Sequence, residues 1–408
     1  MVPSLAGATQ DEVRRANLSL VLRLLHRDGP LSRSAIGTTS GLNRSTVGGL
    51  VTELVDLGLV VERAGVGRGV GRPSLVVEPV SSSAVVLALD VRVDRTVAAL
   101  VGLGGEVFTR VERQHVDALG DPGRIVREVA EIGREVLSSA PTGAVWVGTG
   151  VGVPGIVRAE DGLVRQAPNL GWTDIPFAQL LGGALGSGAR GVQVRNDADL
   201  GALAEHLRGA AQTVDSLIFL AGDVGIGGGV IIDGQALVGA GGYGGEVGHV
   251  RVNPTGRPCR CGAVGCWETE VGAEALVASA RSHGLDVVTA IDVIELATSG
   301  DGVALQVVQD VATWLGVGLV NLLHVLNPQA VVLGGHLAAI YGAARGRVTE
   351  QLALALPAAR EQVEVAPAAL GSDAVLVGAA EIAFEPLLND PVGLLNDLSA
   401  DVLVSSAR

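Results

Sequence analysis

Apolar residues near the N-terminus recur every three or four residues, the spacing of helices that bury one face. The pattern predicts a first helix over residues 11–27, which the Asp-Gly-Pro run at 28–30 ends. A second helix is predicted over 32–39, and a third begins behind Asn43 after a tight turn at 40–41. Two helices joined by a tight, glycine-containing turn are typical of a helix-turn-helix.

Two short strands, over 59–62 and 75–78, are predicted after the third helix. The segment between them, 65–73, is rich in glycine and carries Arg68 and Arg72. A flexible, basic hairpin tip in this position is typical of a wing that lies over the DNA backbone or minor groove. The order of these elements predicts a winged helix-turn-helix.

The polar face of the third helix is the predicted DNA-reading surface. In this motif the N-terminal residues of the second helix enter the major groove, where Arg can fork onto guanine and Ser or Thr can bond phosphates or base edges. The glycine pair at 48–49 costs about 1 kcal/mol per residue in a helix, so the helix is weak until docked or its backbone approaches DNA closely. The alternative is a three-helix packing or dimerisation domain. The candidate DNA contacts are Arg33, Asn43, Arg44, Ser45, Thr46, Arg68 and Arg72.

Charge is unevenly distributed along the chain. The net charge is −14 at pH 7, which by itself argues against nucleic acid, but residues 1–78 hold nine Arg against seven acidic residues. A mildly basic module on an acidic body is compatible with one DNA-facing end, because local charge sets the potential at phosphates.

The remainder of the chain reads as an α/β body that contains a duplication. A short linker is predicted at 79–83. Strands over 84–91 and 96–103, and a later pair over 216–222 and 226–233, share a strand, turn, strand pattern. Two similar halves predict two lobes with a ligand-binding cleft between them.

The cysteines form one compact group. All three lie in the C-x-C-x4-C pattern of Cys259, Cys261 and Cys266, and His249 is ten residues upstream of the first. Three thiolates and one imidazole suit a closed, structural Zn²⁺ site in a reducing compartment. Three reduced thiols without metal, or a redox switch, are the alternatives.

Several short motifs together resemble the ROK family (repressors, open reading frames and kinases), in particular its regulators with an N-terminal winged helix. Besides the cysteine motif they are Gly-Val-Pro-Gly at 152–155, Ala-Pro-Asn-Leu-Gly-Trp at 167–172, Asn-Asp-Ala-Asp at 196–199, the glycine run at 225–229, Gly-Glu-Val-Gly-His at 245–249 and Val-Val-Leu-Gly-Gly at 331–335. The resemblance covers nearly the whole chain. It implies an α/β fold with an N-terminal winged helix-turn-helix and a two-lobed, actin-like (ribonuclease-H-like) ROK domain.

The resulting domain plan has three parts. Residues 1–78 form the DNA-binding domain, 79–83 the linker and 84–408 the ROK domain. Within the ROK domain, the first lobe spans about 84–195 plus a C-terminal helix, and the second about 196–375.

The resemblance also implies a sugar site. Carboxylates and amides bind sugars by bridging neighbouring hydroxyls. Asp197 matches the base that takes the proton from the sugar hydroxyl in the kinases, and the second ring nitrogen of a zinc-bound His249 would face the sugar. Taken singly, each of these residues is more often a capping or surface polar group. The implied sugar-binding residues are Asn169, Asn196, Asp197, Glu246, His249 and Glu268.

The phosphate-binding turn of the kinases is altered in this chain. ROK kinases open their first lobe with Asp-x-Gly-Gly-Thr, and the matching segment here, 90–95, contains no glycine. Side chains therefore stand where backbone must approach an anion, Asp94 is expected to add negative charge near the triphosphate, and Asp223-Val224 replaces small residues in the second glycine segment. We expect no useful ATP binding, so Asp197 would be a vestigial base.

The sequence therefore predicts a sugar-responsive transcriptional regulator of carbohydrate metabolism genes, by default a repressor, without kinase activity. The partners expected are double-stranded operator DNA, a sugar effector and further copies of the chain in a homodimer or homotetramer. No apolar run is long enough to cross a membrane, so a cytoplasmic location is expected. The rivals are an active sugar kinase with a DNA-binding extension and an interaction scaffold without a ligand; activation, or control by a docked protein, also remains open.

Overall fold

The structure, a computed structural model, describes residues 9–64, 75–115, 120–186 and 191–405, with side chains as far as 398. The predicted wing residues Arg68 and Arg72 lie outside this part of the chain.

The N-terminal region is a winged helix-turn-helix, as the helical spacing predicts. Its helices and the three-stranded sheet β1-β3-β2 pack their apolar side chains into one cluster, which continues into the rest of the chain. Two caps act where they are expected: the Ser32 side chain accepts from the Ala35 amide, and the Asn43 side chain accepts from the Thr46 amide. The elements are α1 (Gln10–Asp28), β1 (Leu31–Ser32), α2 (Arg33–Ser40), α3 (Arg44–Asp56), β2 (Val60–Ala64) and β3 (Leu75–Pro79).

The first lobe is built on a five-stranded sheet of order β6-β5-β4-β7-β11. Every residue of its central strand β4 is buried, because α4 covers one face and α13 the other. Its elements are β4 (Ala84–Val91), β5 (Arg95–Gly102), β6 (Val107–Gln114), α4 (Pro122–Ser138), β7 (Val145–Val153), β8 (Ile156–Arg158), β9 (Leu163–Ala167), β10 (Trp172–Ile175), α5 (Phe177–Leu185), β11 (Val192–Asn196), α13 (Ala374–Asn389) and α14 (Pro391–Ser405).

The second lobe repeats the topology of the first. Its sheet has the order β14-β13-β12-β15-β16, and in both lobes three antiparallel strands are followed by two parallel ones. The predicted duplication is therefore confirmed. Its elements are α6 (Asp197–Arg208), β12 (Leu217–Gly222), β13 (Ile226–Ile232), β14 (Gln235–Ala236), α7 (Trp267–Val271), α8 (Ala273–Ser282), α9 (Ala290–Thr298), α10 (Gly302–Leu326), β15 (Ala330–Gly335), α11 (His336–Leu352), α12 (Pro357–Arg360) and β16 (Glu364–Pro367).

Helix α10 is the one described helix whose length and apolar character would suffice to cross a membrane. Half of its most apolar window is buried, and its apolar side chains belong to the large second-lobe core together with those of α11 and α9. In this structure α10 is the central core helix of that lobe.

The helix-turn-helix packs directly on the first lobe. Leu18 and Leu22 of α1 belong to the same hydrophobic cluster as Val86 of β4 and Phe384 of α13. The segment predicted as a linker begins inside β3, and the Val80 amide donates to the Leu59 carbonyl. The domain boundaries at residues 78 and 83 stay predictions. The apolar core continues across them.

A glycine on β7 allows α13 to approach the sheet closely. A Cβ atom built on Gly150 would lie 1.8 Å from the Ala379 carbonyl oxygen of α13, inside contact distance. Since both atoms belong to backbone, only a movement of the helix could relieve the clash.

We expect Gly150→Ala to destabilise the fold by about 1 to 3 kcal/mol, the usual cost of overpacking. The matched control is Gly183→Ala on the exposed face of α5, where a Cβ meets no atom within 4 Å. This substitution should raise stability by up to about 1 kcal/mol through helix propensity. Urea unfolding measures both variants, and equal stability of the two would contradict the close packing of α13.

Candidate functional site

A cavity of about 580 Å³ lies between the two lobes. All six residues that the sequence assigns to sugar binding line it, although they come from distant parts of the chain. The cavity also borders the glycine run at 225–228 and the front turn at 91–93. Its place and volume are those of a small-ligand site.

The junction of β11 and α6 holds two of these residues. The Asn196 side chain caps α6, accepting from the Ala198 and Asp199 amides at 2.8 and 3.2 Å, and donates to the Gly155 carbonyl at 2.9 Å. Asn196 thus ties a loop of the first lobe to the helix that carries Asp197. Its main role in this structure is to hold the site together.

Asp197 stands at the first position of α6 and faces the cavity. One of its oxygens accepts from the Ala198 amide at 2.9 Å. Burial, and secondly the nearby charge of Asp90, raise the pKa of Asp197 to about 7. A carboxyl group with this pKa can hold or accept a proton near neutral pH, as a base in this position requires.

Asp199 is a cavity residue that the sequence did not single out. It lines the cavity one helical position beyond Ala198, and burial, followed by the charge of Glu246, raises its pKa to about 7. The signal was present in the Asn-Asp-Ala-Asp motif. A lone acid two residues after Asp197 gave no reason to expect that it would face the same cavity.

The front turn after β4 is occupied by an arginine. Arg92 donates to the buried Asp90 carboxylate at 2.7 Å and to the Ser372 carbonyl, just before α13, also at 2.7 Å. Burial raises the pKa of Asp90 against the opposing charge of Arg92. The turn after β4 was expected to have lost its phosphate-binding geometry. In the structure the Arg92 side chain lies across this turn and is held by hydrogen bonds at both of these partners.

One expectation about this turn is wrong. Asp94 does not line the cavity; its side chain is 65% exposed and pairs with Arg95 at 2.7 Å. It lies in the turn between two antiparallel strands, which directs it to solvent. Asp223 and Val224 do line the cavity, as expected.

The histidine and three cysteines converge into one cluster. The ligand atoms of His249, Cys259, Cys261 and Cys266 all lie within 4.8 Å of one another. The sulfurs of Cys261 and Cys266 are 3.6 Å apart, close to the separation that two 2.3 Å Zn–S bonds at a tetrahedral angle require. The cluster could hold a metal ion with four protein ligands.

The two ring nitrogens of His249 face different neighbours. Nδ1 lies 3.7 Å from the Cys259 sulfur, and Nε2 lies 3.8 Å from a Glu246 oxygen at the cavity. Glu268 accepts from the Cys259 thiol at 2.9 Å; burial, and then this bond, raise the thiol pKa. The cluster and the cavity therefore share residues along one wall.

Asn169 reaches the cavity from the first lobe, where Arg260 of the cysteine loop donates to its side-chain oxygen at 3.0 Å. Arg260 also pairs with Glu274 on α8 at 2.8 Å. The contact joins a first-lobe loop to the cysteine loop, and Arg260 was not among the predicted residues.

The predicted DNA-contacting residues on α3 differ in their exposure and in whether their side chains already have a partner within the protein. Arg44 and Ser45 are exposed at the start of the helix, and the described structure gives Arg44 no hydrogen-bond or ion-pair partner. The Asn43 side chain is engaged as the cap and accepts from Ser45 at 2.7 Å, while Thr46 is half-buried. Arg44 is therefore the freest cation at the end of α3.

Arg33 and the glycine pair complete this surface. Arg33 donates through two nitrogens to Glu62, at 2.7 and 2.6 Å, so a DNA contact would compete with this pair. A Cβ on Gly49 would meet no atom within 4 Å, and Gly49 is exposed. Packing inside the protein does not require a glycine there.

The fold and the cleft define the class of this chain: a two-lobed, actin-like sugar-kinase fold with an attached winged helix-turn-helix. The model of the ROK family matches residues 86–385. The chain belongs to the ROK family.

Two relatives that match at least 79% of the chain are named xylose repressors. The chain is 31% identical to a xylose repressor of Caldicellulosiruptor bescii over 79% of this chain and 83% of that protein. It is 29% identical to the xylose repressor of Bacillus subtilis (strain 168) over 94% of this chain and 98% of that protein.

Two solved structures show the same division between regulators and kinases. A ROK family transcriptional regulator, a homologue of the E. coli MLC protein, has a TM-score of 0.79 at 25% identity, covering 95% of this chain and 99% of that one. A ROK glucokinase from Streptomyces griseus, in complex with glucose and AMPPNP, has a TM-score of 0.63 at 27% identity, covering 74% and 99%. The regulator covers nearly the whole chain, whereas the kinase covers about three quarters of it.

We expect Asp197→Asn to stabilise the protein more at pH 8 than at pH 5. A pKa raised to about 7 means that the folded state favours the protonated form, so this favourable contribution is lost as pH rises from about 4 towards 7. The amide avoids that loss, and the gain at pH 8 should exceed the gain at pH 5 by about 1 to 2 kcal/mol. Thermal unfolding at both pH values measures the change in stability caused by the substitution, and Asp286→Asn, at an exposed position, is the control. An equal effect of Asp197→Asn at both pH values would contradict the shift.

Proposed function

We propose that this chain is a sugar-responsive transcriptional repressor in which residues 1–78 read DNA and residues 84–408 sense a carbohydrate. The observation that carries the proposal is a helix-turn-helix packed directly on a body whose cleft gathers all six expected sugar-binding residues. The names of the xylose repressors that align over most of the chain support it.

The DNA-reading element is α3. The free guanidinium of Arg44 can fork onto guanine or bind phosphate, and Ser45 lies beside it. Gly49 leaves the outer face of the helix without a side chain, which permits close approach of the backbone to the groove. The predicted wing arginines, Arg68 and Arg72, would add backbone contacts.

The ligand is a neutral sugar. The cavity presents the carboxylates of Asp197, Asp199, Glu246 and Glu268, which accept hydrogen bonds from hydroxyl groups. A phosphate group would add negative charge to a wall that already holds these four acidic side chains. Because relatives are xylose repressors, D-xylose is the first candidate.

Sugar binding proceeds without phosphoryl transfer. Phosphoryl transfer requires a cradle that places backbone amides and metal ions around the triphosphate. In this chain Arg92 crosses the front turn and bonds the segment before α13, where the cradle would have to open. Asp223 adds negative charge at the second glycine segment.

An active sugar kinase is the second candidate. Asp197 is retained in the cavity with a pKa suited to a base, and a glucokinase of Thermotoga maritima is 30% identical over 69% of this chain. The kinase candidate leaves the arginine in the front turn unexplained.

The metal at the cysteine cluster is structural Zn²⁺. His249, Cys259, Cys261 and Cys266 would supply all four ligands, and the ion would fix the loop after Glu246 against α7. A reducing cytoplasm is the fitting location, since thiolate ligands must stay reduced. The chain acts as a homodimer or homotetramer, so that two helix-turn-helix units meet two half-sites.

The central experiment measures operator binding with and without sugar. Genomic fragments are selected by the purified protein, and the dissociation constant for a recovered fragment is measured by fluorescence anisotropy. We expect D-xylose to weaken binding at least tenfold and ATP-dependent xylose turnover to stay below about 1 per second, the low end for kinases. Selection of no specific fragment, or faster turnover, would overturn the proposal.

Arg44→Ala should weaken specific binding by about 1 to 3 kcal/mol, the usual contribution of one bidentate base contact. The matched control is Arg347→Ala on α11, an exposed arginine that pairs with Glu350 in the second lobe. The sugar effect on the remaining affinity should be the same in both variants, because neither residue touches the cleft.

We expect one zinc ion per chain by elemental analysis. Cys261→Ser should lose the ion and lower the unfolding temperature, because metal binding contributes folding free energy. His283 is an exposed histidine outside the cluster, so His283→Asn should keep the zinc content and the unfolding temperature at wild-type values. Wild-type protein that carries no metal, and whose unfolding temperature does not respond to added Zn²⁺, would rule out this site.

A further inference from the structure

Helix α6 runs from the cleft to the helix-turn-helix. Its N-terminal end carries Asp197 in the cavity wall, and its last residue, Arg208, is 11 residues and about 17 Å further on. One regular element therefore has the proposed sugar site at one end and the DNA-binding region at the other.

The Arg208 side chain joins three parts of the molecule. Its guanidinium donates to the Glu381 carboxylate on α13 and to the His26 carbonyl at the end of α1, the latter at 3.1 Å. It also lies 3.4 Å from the Gly104 carbonyl in the turn after β5. A shift of α6 would act on all three contacts at once.

The orientation of His26 completes the joint. The Gly104 amide donates to its Nδ1 at 2.9 Å, so the ring hydrogen is on Nε2, which donates to Glu381 at 3.2 Å. The ring packs against Phe384 with 4.8 Å between centroids. His26 is 2% exposed, so α1 is attached to the body here through a buried, directional contact.

Glu381 is a buried charge that depends on these partners. Burial opposes its ionisation, but the contacts with His26 and with the Arg208 guanidinium outweigh burial, so the pKa of Glu381 is lowered. A buried carboxylate deprived of its cation is strongly unfavourable. The contact between α1 and α13 is therefore sensitive to where α6 places Arg208.

The same end of α6 is anchored to the segment that leads into α13. Glu205, fully buried, accepts from the amides of Ala369 and Leu370 at 3.1 and 2.9 Å. A Cβ on Gly378 of α13 would lie 2.1 Å from the Leu200 carbonyl, so the two helices are in close backbone contact. Helices α6 and α13 form a tightly packed pair.

We propose that His26, Arg208 and Glu381 are positioning residues that form the coupling joint between the sugar cleft and the DNA-binding region; this rests on the proposed function. Sugar in the cleft changes the position of α6. Arg208 then moves relative to Glu381 and His26, and the position of α1 on α13 changes as a result. The sugar alters DNA affinity only as far as it binds the two arrangements unequally.

The test compares two ion pairs on one interface. Arg208→Lys keeps the charge but loses the forked contacts. The control Arg23→Lys alters a half-buried arginine that joins α1 to Glu385 and Asn389 of α13, with no hydrogen bond to the described residues of α6. The operator dissociation constant is measured with and without D-xylose, and the ratio of the two is the response. The dissociation constant for D-xylose is measured without DNA.

In Arg208→Lys we expect the response to fall at least fivefold, with D-xylose affinity within about threefold of wild type. Arg23→Lys should keep the wild-type response. A wild-type response in Arg208→Lys, or an equal loss in Arg23→Lys, overturns the joint, because the interface would then act only as packing.

His26→Gln provides a second variant if Arg208→Lys fails to fold, since it keeps an amide donor and leaves Arg208 paired with Glu381. It should also reduce the response at least fivefold, and an unchanged response overturns the joint. A wild-type protein whose operator affinity ignores D-xylose and every other neutral aldose overturns the proposed function, and the joint with it; that result is visible before any variant is made.

Discussion

The close packing of α13 against β7 and α6 is the constraint on which the arrangement of this molecule depends. Gly150 and Gly378 bring backbone against backbone on two sides of the helix, and its far side receives α1 of the helix-turn-helix. Because such contacts leave little free space, a movement at the cleft would displace the packed elements as units. A chain segment near the C-terminus thus links a DNA-binding region at the N-terminus to the cleft.

The cleft gathers acidic and amide side chains that suit sugar hydroxyls, whereas its front turn is occupied by an arginine side chain. Asp197 stands where a proton could be taken from a hydroxyl, and further carboxylates surround it. The front turn is crossed by Arg92, which fastens it to the segment before α13. In the proposed function, binding energy that a kinase would direct to a transition state biases one conformation over another.

The cysteine cluster and the cleft form one continuous structure. His249 places one nitrogen beside the thiol of Cys259 and the other beside Glu246, so an ion held by the cluster would orient a residue of the cavity wall. The Arg260 contact to Asn169 extends this wall to the first lobe. A metal remote from any reacting atom would still determine the shape of the ligand site.

Sequence alone determined the features that depend on neighbours in the chain. Helical spacing and the Ser32 and Asn43 caps defined the helix-turn-helix, and the spacing of His249 and the cysteines predicted that these four residues form one cluster. The duplicated strand pattern predicted two lobes. The family resemblance identified six residues that line one cavity in the structure. Local hydrogen bonds and short loops depend on residues that are adjacent in the chain, so the sequence predicts them without knowledge of the fold.

Only the tertiary structure decided which distant side chains meet. It turned Asp94 to solvent, paired Arg33 with Glu62 and added Asp199 to the cavity. It also joined Arg208 to Glu381, 173 residues away, and both to His26. No local pattern encodes such contacts, because burial and partner are set by how helices and sheets pack, and a buried charge acquires its role from the groups that packing brings to it.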